Sequence, residues 1–285
     1  MAYDPFGRGP YAVGTTTLAL TDTSRERAIP VAVWRPEGVT TAPLLVHSHS
    51  SYGHPRQSSF LCEHLASHGY VVAAPEHTGN TPADLRPRGA PPLTSDELDA
   101  LVRRMIGDRV PDVRFTLDRM LAGGAGIAID PARVGVLGWS FGGWAALATL
   151  EQDARPAAVA ALASGGGSNP LPGIIPATLT FRWSRVVPAL FLAADRDQYI
   201  PLASVAELYE RAPGPKRMYT LRNADHGHFA DEVPPGMCDA THAHAFTRAL
   251  TLAHFDAALQ ANEAARSFMA GDVVAALRAR GIAAD

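Results

Sequence analysis

Apolar residues fall along this chain in short dense runs, separated by stretches where they recur every three or four positions. Two strand-like stretches come first, Thr16–Leu20 and Ile29–Trp34, joined by the polar turn Asp22-Thr-Ser-Arg; they predict an antiparallel hairpin. The runs Pro43-Leu-Leu-Val-His-Ser-His and Tyr70-Val-Val-Ala-Ala-Pro read as strands buried on both faces, with a helix over Gln57–Ser67 between them. Further strands are predicted at Arg133–Gly138, Ala157–Ala163, Ala189–Ala194 and Arg217–Leu221. One helix should start at the capping pattern Thr94-Ser-Asp-Glu, a second cover Val110–Leu121, and a third run from Gly142 to Leu150. The tail from Thr241 onward is helical in character.

Strands that alternate with helices imply right-handed βαβ crossovers. The expectation is an α/β fold: a mostly parallel central sheet, helices on both faces, an antiparallel N-terminal edge, and a single domain over residues 1–285. Gly79–Pro92 is rich in Pro and Arg and reads as loop. Gly165–Val187, rich in Gly, Ser and Pro, also breaks the rhythm. An irregular insertion after a strand's C-terminal end often shapes a binding site, though it is equally read as plain loop.

Composition narrows the classes. At 285 residues and 47% hydrophobic, the chain can bury a large core. Lys+Arg 25 against Asp+Glu 28 leaves a net charge of −3 with no basic stripe, which argues against nucleic acid as a partner. No run approaches the roughly 20 apolar residues of a membrane span. Nothing resembling a signal peptide reads at Met1–Gly7, so the expected location is cytoplasmic, although a secreted mature form would read the same way. Two cysteines, Cys62 and Cys238, rule out a disulfide framework; a single bridge between them stays open.

The chemistry centres on Gly138-Trp139-Ser140-Phe141-Gly142, a G-x-S-x-G pattern between a predicted strand and a small-residue helix. A nucleophilic serine must stand on a sharp strand-to-helix turn, and residues two away on either side then have no room for a side chain. The helix start that follows favours oxyanion charge. A Gly-rich turn with an incidental serine is the plain alternative. An aspartate at this position would signal a dehalogenase; serine argues against it.

On this fold the acid and then the base follow the nucleophile in sequence. Leu190–Ala194 ends in two candidate acids, Asp195 and Asp197. The loop Asn223-Ala-Asp-His-Gly-His-Phe offers two candidate bases, His226 and His228, while His242, His244 and His254 read as helix-surface or packing residues. Oxyanion donors should come from the Phe141 amide and from the loop His49-Ser-Ser-Tyr-Gly. Tyr52, Trp139, Trp183 and Tyr199 are the aromatic candidates for a substrate pocket, each equally readable as packing. His47, His49 and His54 admit a metal-site reading, but no acid or cysteine accompanies them, and no metal or cofactor is expected.

Several of these stretches together resemble the α/β-hydrolases of the platelet-activating-factor acetylhydrolase and dienelactone hydrolase type, and more distantly bacterial cutinase-like polyester hydrolases. The likeness rests on the Pro43–Ser51 segment, on Leu65–His77, on Asp112-Val-Arg-Phe-Thr-Leu-Asp and on Asp130–Gly143 around the serine, and it spans about residues 10 to 260. It implies Asp197, four residues before Pro201, as the acid, His226 after Ala224-Asp225 as the base, and the Phe141 and Ser51 amides as the oxyanion hole. Two positions depart from the pattern: Ser50 stands where that group has glycine, and Trp139 where it commonly has histidine. The implied activity is hydrolysis of a small-molecule carboxylic ester through an acyl-serine. Lactone, polyester and amide hydrolysis use the same residues, and a hydrolase fold that has become a non-catalytic binding module is the rival from another class.

Overall fold

The computed structural model describes residues 3–285. Strands β1 (Val13–Asp22) and β2 (Arg27–Pro36) pair antiparallel along their whole length, Val13 opposite Pro36 and Asp22 opposite Arg27. β2 runs antiparallel to β4 (Val71–Pro75), and from there β3 (Thr41–Ser48), β5 (Ala128–Trp139), β6 (Ala158–Leu162), β7 (Ala189–Ala194) and β8 (Lys216–Leu221) pair in parallel. The eight-stranded order is β1-β2-β4-β3-β5-β6-β7-β8. This is the α/β-hydrolase fold expected from the alternation.

Alternate residues of the inner strands divide between two cores, as the period of two requires. Leu44, Val46, Val134, Val136, Phe191 and Ala193 join a cluster with α2 (Ser95–Arg119), α3 (Phe141–Gln152) and α4 (Leu202–Arg211). Leu45, Leu137, Leu190 and Leu192 point the other way, against α1 (Ser59–Ser67), α5 (Ala240–Leu259), α6 (Glu263–Ala270) and α7 (Val273–Arg278).

Two expectations need correction. The separate helices at Thr94 and Val110–Leu121 are one helix, α2, which runs through Pro111. Proline there forgoes the bond to the carbonyl four residues back, but Met105, Val110, Val113 and Leu117 seat the helix on the core on both sides of it. The helix α4 between β7 and β8 was not anticipated; its buried anchors are only Val205 and Leu208. Among the described residues, no helix is long and apolar enough to cross a membrane. Both cysteines are free thiols, Cys62 buried and Cys238 half-buried.

Candidate active site

The parallel strands deliver their loops to one edge. Ser48, ending β3, lies beside Gly138 of β5, so the loop after β3 and the turn after β5 emerge side by side. At that turn Ser140 has φ 60° and ψ −120°, outside the regions a side-chain-bearing residue ordinarily adopts. Neighbours enforce it: the Ser140 amide donates to the Leu162 carbonyl (2.9 Å), and its own carbonyl accepts from Gly165 N–H (3.0 Å). Both flanking glycines are required by contact. A Cβ on Gly138 would lie 2.2 Å from the Gly142 carbonyl oxygen, and one on Gly142 would lie 1.9 Å from that of Ser48. The pattern therefore lets the start of α3 abut the end of β3.

Past the end of β7, Asp197 stands with its side chain almost fully buried. Its Oδ1 accepts the backbone amides of Tyr199 and Ile200, both at 2.8 Å, which fixes the carboxylate and leaves Oδ2 free. That oxygen accepts from His226 Nδ1 at 2.7 Å. With Nδ1 so engaged, Nε2 is the nitrogen left to handle a proton. The imidazole is flanked by two aromatic rings, Trp139 at 5.2 Å and Tyr199 at 5.4 Å between centroids. The competing residues face elsewhere. Asp195 Oδ1 accepts the Ala224 amide (3.2 Å), with Arg222 3.6 Å from its other oxygen. His228 is buried and its Nδ1 is tied to Asp225 (2.8 Å).

Ser140 and His226 line one pocket of about 280 Å³, together with Ser50, Ser51, Tyr52, Phe141, Ile174, Ile175, Tyr199 and Ile200. Its walls carry no Lys, Arg, Asp or Glu. Of the four aromatic candidates, Tyr52 and Tyr199 are in the lining. Trp139 is not; its ring lies beside His226. Trp183 must also be corrected: it packs against the Phe181 ring (6.0 Å) and the helix-side core, away from the pocket. The irregular segment after β6 does supply Ile174 and Ile175, which composition alone had not singled out.

The departure at Ser50 is accommodated. Ser50 is not among the residues with positive φ, so no glycine is needed there; the left-handed residue of this loop is Tyr52, φ 51°. Ser50 Oγ donates to Gln57 Oε1 (3.2 Å). Phe141, as the first residue of α3, has an amide with no partner inside the helix.

Beneath the loop after β3 lies a second row of the same residue types. Ser48 Oγ donates to His77 Nε2 (2.9 Å), and His77 Nδ1 donates to Asp112 Oδ2 (3.0 Å). All three are buried and none reaches the pocket, so the row is structural. Burial, then the nearby Arg109 and Arg27 cations, holds His77 well below the usual imidazole range, and it is neutral. Arg25 and Arg27 compensate Asp112 at 2.9 Å. The candidate metal histidines do not converge: His49 joins this network, His47 is buried with neither nitrogen bonded, and His54 Nδ1 accepts the Arg56 amide.

A family model described as the dienelactone hydrolase family matches residues 29–270, which takes in most of β2, every strand from β3 to β8, and Ser140, Asp197 and His226. The chain matches no curated protein.

Proposed function

The chain belongs to the dienelactone hydrolase family, and on that premise we propose that it is a serine esterase whose acid and base are Asp197 and His226. The observation that carries this reading is the 2.7 Å bond from His226 Nδ1 to Asp197 Oδ2, at a pocket that His226 shares with the strained Ser140. In this reading His226 Nε2 takes the proton as Ser140 Oγ attacks the ester carbonyl. The oxyanion is received by the amides of Phe141 and Ser51. The tetrahedral adduct collapses as His226 protonates the leaving alcohol, giving an acyl-serine. His226 then deprotonates a water that attacks the acyl carbon, and the acid departs with Ser140 restored. Asp197 holds the imidazole in one tautomer and stabilises its cation.

Wall chemistry narrows the substrate. An apolar pocket without a charged lining side chain would leave an ionised acyl group unpaired, at a cost of several kcal/mol or more, so the acyl portion is uncharged. The family's description favours a second form of the same reaction, opening of a lactone, where the alcohol stays tethered to the acyl product. Ser140→Ala tested on a panel of p-nitrophenyl esters and simple lactones is expected to lose at least 10³-fold in kcat. Turnover retained in that variant removes the acyl-serine from the account.

A further inference from the structure

Arg109 of α2 is fully buried, and among the described residues it makes no ion pair; of the carboxylates in the network beside it, Asp112 is taken by Arg25, Arg27 and His77, and Asp108 by Arg27. Its guanidinium is spent on the loop after β3. It donates to the carbonyls of His49 and Ser50 (2.9 Å for Ser50), to Ser48 Oγ (3.3 Å) and to Asn80 Oδ1. Its Cζ also lies 4.6 Å from the centroid of the Phe141 ring. One buried cation thus touches both segments that would supply oxyanion donors.

We propose that Arg109 is a positioning residue that aims the Ser51 amide into the pocket and holds Phe141 opposite it. This inference rests on the esterase reading above. The lever is the planarity of the peptide unit. In a trans peptide the carbonyl and the following N–H point in opposite directions. Arg109 grips the Ser50 carbonyl from the core side, so the N–H of the same unit, that of Ser51, is turned away from the core. His49 Nδ1 and the Gly53 amide also donate to the Ser50 carbonyl, at 2.8 and 3.2 Å, and His49 is itself fixed because its Nε2 accepts the His77 amide at 3.1 Å. Burial, then the charge of Arg109, keeps His49 neutral, as that pattern of one donor and one acceptor requires. The guanidinium also places a fixed positive charge behind the point where negative charge develops, in surroundings where such charge is poorly screened.

Wild-type chain and Ser140→Ala are assayed first, so that the esterase reading stands or falls on Ser140-dependent turnover before any Arg109 variant is judged. Given that turnover, Arg109→Met is expected to lower kcat about 10²-fold, the effect of losing one oxyanion donor, with KM within about 3-fold. Arg109→Lys, which keeps the charge but not the fork, should fall between. Inhibition by an alkylboronic acid, which forms a tetrahedral adduct on serine, should weaken in step with kcat. Should Arg109→Met fail to fold, Asn80→Ala, which removes one anchor of the guanidinium and leaves the charge, carries the test with an expected loss of about 5-fold in kcat and a matching loss of boronate affinity. Folded variants with unchanged kcat overturn the proposal. So does a kcat loss that follows only the folded fraction while boronate affinity per folded molecule is unchanged.

Discussion

At the scale of single residues, the site turns on which of two acids meets which of two histidines. Asp195 and Asp197 both end the same strand, and sequence pattern alone leaves them level; the resemblance favoured Asp197. What separates them in space is a local turn, with Asp197 Oδ1 on two backbone amides and Oδ2 on His226. Asp197→Asn should therefore cost roughly 10³- to 10⁴-fold in kcat by disturbing the imidazole tautomer. Asp195→Asn, losing its charge toward the half-exposed Arg222 while keeping an oxygen for the Ala224 amide, should change kcat less than about 3-fold. Steady-state kinetics on both variants decide it, and the reverse ranking would assign the acid wrongly. Ser140 and its glycines were legible because backbone geometry restricts which residues fit that turn. Arg109 was not. An arginine in an amphipathic helix is ordinarily exposed, and its partners here are backbone carbonyls sixty residues earlier, which no local pattern encodes.

At the scale of elements, dense apolar runs located the inner strands because β3, β4, β6 and β7 bury both faces almost throughout, and β5 does so in its second half. Helices were read less well. Two helices were read where α2 is one; an interior proline such as Pro111 normally ends a helix, but tertiary packing carries α2 across it. α4 was passed over although Leu202, Val205, Leu208 and Tyr209 fall at helical spacing. The split matters for the site, since only a continuous α2 places Arg109 and Asp112, three apart, on one face toward β3. The irregular segment after β6 could be named as pocket-forming but its contacts could not, because loops follow no period. Its Ile174 and Ile175 form an apolar wall. Ile175→Ala should raise the preference for hexanoyl over acetyl p-nitrophenyl esters about 10-fold, the discrimination typical of a methylene-sized change in a hydrophobic pocket. The kcat/KM ratio of the two esters measures this, and an unchanged ratio would place the acyl group elsewhere.

At the scale of the whole molecule, the fold buries several neutral histidines. Burial holds His47 and His254 at about 4 and His64 at about 3. The unfolded chain takes up these protons near 6.5, the native chain only at lower pH. The stability each provides is complete above 6.5 and is lost as pH falls toward 4, at up to about 1.4 kcal/mol per pH unit for each histidine. Thermal unfolding should therefore weaken steeply between pH 6.5 and 4.5, with a shallower slope in His254→Gln. A midpoint that stays flat down to the carboxylate range would contradict this.

The same fold gathers Ser140, Asp197 and His226 from three strand ends onto one sheet edge, and the account depends on that hydroxyl being the nucleophile. Treatment with a fluorophosphonate probe, followed by digestion and peptide mass mapping, asks this directly. One phosphonyl adduct is predicted, on the peptide containing Ser140, strongly suppressed in His226→Gln. An adduct on another residue, or ester turnover with Ser140 left unlabelled, would contradict it.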